Sequence, residues 1–259
     1  MTSSSNESGK MKRRGRFSEL LKVEGKLALR TPIGLGMGLA LPIILLLVFG
    51  FIGIASPGDV GNTNLTVIDV YVPIIMVLGF IGLGILSLPY TMVRYREMGW
   101  LRRVSTTPVH PSRLLAAQLI LNLVMAIAVI FIVIFGSEAI FGAPLSVGIP
   151  FFVLSIILSI ATIFSLGALV SALIPSQQAA QAASGGLMFL LFFLSGLWLP
   201  PEAVGGTLAT IMYYSPSGAA VQALTYSVFD ATPPSTDIIV MVVYTFVFAF
   251  LAIRYFRWE

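Results

Sequence analysis

The chain has 259 residues, of which 57% are hydrophobic and only 10% charged, with a mean hydropathy of +0.97. Soluble domains carry about a quarter charged residues, so this composition belongs in a bilayer. The absence of cysteine excludes disulfides, thiolate metal sites and cysteine nucleophiles.

In chain order, residues 1–16 are rich in Ser, Lys and Arg and read as a disordered basic cytoplasmic tail near anionic headgroups. Over residues 17–30, Phe17, Leu20, Leu21, Leu27 and Ala28 share one helical face while Glu19, Lys22 and Lys26 occupy the rest. That pattern predicts an amphipathic interfacial helix, on the membrane or packed on a partner. Residues 31–259 read as a transmembrane domain with six apolar runs, at about 33–54, 70–92, 114–135, 147–173, 182–199 and 238–253. Each approaches the ~20 residues that cross ~30 Å of hydrocarbon. Thr31 and Pro32 suit the start of the first span, and Pro42 should bend it. A cleaved signal peptide is the competing reading of this run, but it is too long for one and five comparable runs follow.

The fifteen basic residues fall in three clusters: eight in the first thirty residues, then Arg94, Arg96, Arg102, Arg103 and Arg113, then Arg254 and Arg257. The intervening loops hold Asp59, Asp69, Glu138, Glu202, Asp230 and Asp237 without a basic neighbour. Positive-inside asymmetry then puts both termini in the cytoplasm, in agreement with six crossings. Trp100, Trp198 and Trp258 fall at expected span ends, where amphipathic rings favour the headgroup layer.

Two segments stand out. Residues 94–108 are too long and charged for a minimal loop: Met98 and Leu101 take one side of a helix, Arg96, Arg103 and the Glu97/Arg102 pair the others, and Pro108 ends the run. The segment suits a solvated loop or a docking element. Residues 194–228 contain apolar stretches broken at Pro200-Pro201 and Ser215-Pro216. They suit an ordinary external loop, or two short helices dipping into the outer leaflet where protein or water satisfies the freed backbone groups.

Several chemistries are absent from the sequence. No G-x-x-x-x-G-K-[ST] phosphate loop occurs, so an ATPase would have to be another chain. His110 is the only histidine and lacks neighbours at metal-ligand spacing, so no metal site is expected. Topology already explains the basic clusters, which leaves no case for nucleic-acid binding. Asn64-Leu65-Thr66 matches a glycosylation acceptor, a tripeptide common by chance.

The Arg96-Glu97-x-Gly99-x-Leu101 run with Thr107-Pro108, and the Ser195-Gly196-Leu197-Trp198-Leu199-Pro200 run with Tyr214-Ser215-Pro216, resemble the membrane permeases of type 2 ABC exporters over nearly the whole chain. The resemblance implies an all-α polytopic fold with six transmembrane helices, the N-terminal interfacial helix, a cytoplasmic coupling helix and short external re-entrant helices. Carried over, Arg96, Glu97, Gly99, Leu101, Arg102, Arg103 and Pro108 belong to the element coupling the permease to its ATPase, and Ser195, Gly196, Pro200 and Pro216 to the external re-entrant region. Many family members carry an extra acidic residue just before the Arg-Glu pair, where this chain has Arg94 and Tyr95. The implied partners are cytoplasmic ATP-binding-cassette subunits, a second or related permease copy, and membrane lipids. No catalytic residue or cofactor is expected in this chain; ATP and Mg would sit on the ATPase. The implied location is a bacterial inner membrane.

The alternative function is an ion- or proton-coupled secondary transporter or channel. Such carriers place ionisable groups within the membrane, whereas the expected spans offer neutral groups such as Gln118, Asn122, Ser155, Ser159 and Thr162. The expected cargo is therefore an amphiphilic small molecule, drug or lipid, with polysaccharide second. Gly34, Gly38, Gly79, Gly82, Gly84 and the 179–186 tract are candidates for close helix contacts. Six spans are few for a whole path, so a dimer is expected.

Overall fold

A computed structural model describes residues 36–55, 66–98, 112–142, 148–229 and 232–255; the expected tail, the interfacial helix and residues 99–111 lie outside them. All the described regular structure is helical: α1 (Leu41–Ala55), α2 (Val67–Ile81), α3 (Leu88–Glu97), α4 (Ser112–Phe141), α5 (Ile149–Leu173), α6 (Gln177–Leu194), α7 (Pro201–Val204), α8 (Gly206–Tyr214), α9 (Pro216–Val228) and α10 (Ser235–Tyr255). Wide π turns at Gly36–Ala40 and Gly82–Ser87 lead into α1 and α3. Pro42 and Pro89 are each the second residue of the helix that follows such a turn. Proline lacks the N–H for a regular ladder, and a wide turn is one way a helix absorbs that loss without breaking.

Among the described residues, five helices are long and apolar enough to cross a membrane: Gly38–Ala55, Val67–Glu97, Ala116–Phe141, Ile149–Leu173 and Ser235–Tyr255. The segment expected to be the fifth span is α6, which starts at Gln177 rather than 182 and ends at Leu194 rather than 199. Gln177, Gln178 and Gln181 in its opening turns keep it out of that set. Ser176 explains the early start, because its side chain accepts from the Ala179 N–H as an N-cap. The second span also outruns its expected end at 92: nothing between Pro89 and Met98 breaks a helix, so Arg94 to Glu97 occupy the last turn of α3. The third continues past 135 to Phe141 and stops at Gly142, whose φ of 67° suits glycine alone.

The α2–α3 rod is the hub. Its most apolar window is 78% buried, against 17–44% for the other four spans. Val72, Ile75, Met76, Phe80 and Ile81 pack with Val129 and Val133 of α4, Ile163 of α5, and Ala220, Ala223 and Leu224 of α9. The outer spans turn Phe51, Phe131, Phe135, Phe246, Phe250 and Ile253 outward. Such a surface is a liability in water, but in lipid it is the face a span must present.

Lipid gives no hydrophobic drive for helices to associate, so small residues and hydrogen bonds hold the bundle. A Cβ on Gly167 of α5 would fall on the carbonyl of Gly84 in the second π turn, and one on Gly79 would meet Val129 and Pro42. Polar pairs run along α5: Ser155 to Ser227 of α9 at 2.9 Å, and Thr162 to Thr245 of α10 at 2.9 Å and to the Met241 carbonyl at 3.1 Å.

Candidate functional site

These contacts fix helix directions and sort the charges. Successive bonds pair Ser159 with Met241 and Thr162 with Thr245 of α10, so α5 and α10 run parallel. Arg96 reaches the last turn of α5, which makes α3 parallel to it. Arg94, Arg96, Glu97 and Arg254 therefore gather at one end of the bundle. Asp69 and Asp237, in the first turns of α2 and α10, lie at the other.

At the basic end, two adjacent residues of α3 close the turn between α5 and α6. The Arg96 guanidinium donates to the Ser171 carbonyl at 2.8 Å and the Ile174 carbonyl at 3.2 Å. Those oxygens belong to the end of α5, where carbonyls lack helical partners and the dipole favours a cation. The Glu97 carboxylate accepts from the Gln177 N–H at 2.8 Å, the first residue of α6, where unpaired N–H groups favour an anion. Each charge-assisted bond is worth roughly 1.5–3 kcal/mol net, toward the lower figure where water competes. Of the seven residues expected in the coupling element, Arg96 and Glu97 are thus brought together against the α5–α6 turn. Gly99, Leu101, Arg102, Arg103 and Pro108 lie outside the described residues, as does His110.

At the acidic end, the second expected group divides between two turns. Ser195 closes α6, donating from Oγ to the Phe192 carbonyl at 2.7 Å. Gly196 follows with φ 84° while its N–H donates to the Phe193 carbonyl at 3.1 Å; its backbone requires glycine. Pro200 is the N-cap of α7. Pro216, the first residue of α9, lies in a separate turn whose cap is Ser215: Ser215 Oγ accepts from the Gly218 N–H at 2.9 Å and donates to the Met212 carbonyl at 2.7 Å. A Cβ at Gly218 would fall on that Met212 carbonyl. The two turns are linked through the Tyr213 hydroxyl, which donates to Glu202 of α7 at 2.7 Å. Burial, with the hydrogen bond and charge of Glu202 and a smaller contribution from Tyr226, pushes the Tyr213 pKa up to about 12.

Asp69 and Asp237 are more buried than their positions at span ends suggest, at 3% and 7% exposure. Asp69 Oδ2 accepts from the Thr66 N–H at 2.8 Å and hydroxyl at 2.7 Å, capping α2. Among the described residues no three His, Cys, Asp or Glu side chains gather closely enough to hold a metal ion.

Sequence reasoning did not single out Gln177, Gly218 or Gly167, and it met Ser215 as part of the Tyr214-Ser215-Pro216 run, not as a helix cap. The serine and threonine spacing at 155, 159 and 162 does trace one face of α5, and was the available signal for its polar contacts.

A bundle of apolar helices with charges sorted to its two ends, a capped turn at the basic end and short broken helices at the other is the geometry of a membrane component. No individual curated protein matches the chain. A family model described as ABC-2 type transporter matches residues 16–229, well over half of the 259. The chain therefore belongs to the ABC-2 type transporter family as its membrane permease domain, which lacks the ATPase domain.

Proposed function

We propose that this chain is the permease subunit of an ATP-driven exporter, lining the path of an amphiphilic small molecule, drug or lipid while a separate cytoplasmic subunit hydrolyses ATP. The observation that carries the reading is the capped turn at the basic end, where the helix leading into residues 98–108 is fastened to two further helices. A motor docked on that segment would act on three helices at once.

The reading includes a sixth crossing by α6. Its eighteen residues span about 27 Å at 1.5 Å per residue, close to the ~30 Å hydrocarbon layer. Its first N–H bonds Glu97 at the basic end, and the Leu197 carbonyl just beyond its last residue lies 3.5 Å from the Tyr71 hydroxyl near the start of α2, at the acidic end. By the positive-inside rule the basic end, with Arg94, Arg96 and Arg254, faces the cytoplasm, and α8 and α9, entered through the breaks at Pro200-Pro201 and Ser215-Pro216, form the external re-entrant region. Two copies, or this chain with a related permease, would enclose the path.

The test is to purify the tagged chain from native membranes in mild detergent, identify co-purifying chains by mass spectrometry and assay ATP hydrolysis. The expected result is a soluble partner carrying a phosphate loop, with hydrolysis that falls when residues 98–108 are replaced by a flexible linker. A chain that purifies alone and moves solute without ATP would instead be a secondary carrier or channel.

A further inference from the structure

Arg96 and Glu97 adjoin a segment expected to touch the ATPase, and both side chains bond the protein's own α5–α6 turn. Above them the same rod touches α5 a second time, where Gly84 and Gly167 pack backbone against backbone. The α2–α3 rod is thus fixed to α5 at two heights, and its α3 end to α6 at one. From α5 the fixed contacts continue to the other end: Ser155 bonds Ser227 of α9, and α9 begins at the Ser215 cap that joins it to α8. A displacement of the chain after Glu97 must then move the end of α5 and the start of α6, or break the bonds that hold them.

Resting on the permease reading above, we infer that Arg96 and Glu97 are positioning residues: they couple movement at the docking segment to the α5–α6 hairpin, through side-chain bonds to backbone groups of Ser171, Ile174 and Gln177. Glu97 acts on α6, not on the ATPase. Energetic coupling needs an element that both sites bias; here that element is the hairpin, held by its two helix ends. The chain contains no cysteine, so one introduced cysteine is the permease's sole labelling site and reports motion at the far end. Ala203, exposed on α7, is the reporter.

Gln177 permits a test that leaves Glu97 untouched. It is the first residue of α6, a position that accepts proline, and Ser176 before it has φ −125° and ψ 150°, as a residue preceding proline should. Gln177→Pro deletes the N–H that Glu97 binds and keeps the helix. The experiment measures maleimide labelling of A203C, with and without ATP, in the permease–ATPase complex reconstituted in liposomes. The parent should change its labelling rate when ATP is added. Q177P should keep its bound ATPase and ATP hydrolysis but lose that change; E97A should lose it too; and E97Q, whose amide oxygen still accepts, should keep it. Should Q177P fail to fold, the double variant E97A/S176D decides: an aspartate N-cap restores a local anion to the start of α6 without tying it to α3, and should restore thermal stability but not the ATP response. A response that persists in Q177P but not in E97A, or that E97A/S176D restores, would overturn the inference and leave the permease reading standing. A parent complex that binds no ATPase or gives no ATP response would instead count against the permease reading itself, and the inference with it.

Discussion

Glycines mark the places where backbones touch, and they divide sharply by what surrounds them. Gly167 and Gly218 face a carbonyl at a distance that leaves no room for a methyl group, whereas Gly186 on α6 faces nothing within 4 Å. Gly167→Ala and Gly218→Ala should therefore each destabilise the protein by roughly 1–3 kcal/mol, the usual cost of forcing atoms into a filled space. Gly186→Ala should be neutral or stabilising by up to about 1 kcal/mol, because alanine loses less entropy in a helix. Thermal unfolding in detergent distinguishes the three. In the sequence, Gly79 and Gly84 were legible as contact candidates, but Gly185 and Gly186 looked the same as they did. Spacing says which glycines share a face; only the fold says what that face meets.

At the scale of the element, α5 is joined to its neighbours by polar side chains. Thr162→Val keeps the shape and removes bonds to Thr245 and the Met241 carbonyl. The expected loss is about 0.6–2 kcal/mol, typical of a hydrogen bond between membrane helices, read as a lower unfolding midpoint. A second prediction concerns the pair joining α7 to α8. The Tyr213 pKa is raised from 10.0 to about 12, so its contribution to stability is complete below pH 10.0 and is lost as pH rises through about 12. Glu202→Gln should bring the Tyr213 midpoint down toward 10.0, visible in the tyrosinate ultraviolet difference spectrum against Y213F. The element boundaries were legible at the end of α5, where the expected 173 coincides with Leu173 just before Ile174-Pro175, but the third span, expected to end at 135, runs on to Phe141. They failed at α6, where the capping serine lies upstream of three glutamines that read as loop. The Glu97–Gln177 bond spans 80 residues of sequence, and no local pattern announces it.

For the whole molecule, the segregation of charge was legible from the sequence and is the feature that orders everything else. Arginines at one end and acidic groups at the other give the bundle two chemically different faces, and the sequence places them by simple alternation along the chain. Apolar spans show where the chain can cross, but not which helix forms the hub; the burial of Val67–Glu97 became visible only with the helices packed. The central claim is that α6 completes a six-crossing layer whose basic end meets the motor. The most direct measurement is single-cysteine labelling by a membrane-impermeant maleimide, with Q178C and A203C examined in right-side-out and inside-out vesicles. Both residues are exposed. The account predicts that Q178C reacts only from the cytoplasmic face and A203C only from the opposite one; labelling of both from the same face would show that α6 does not cross, and would contradict it.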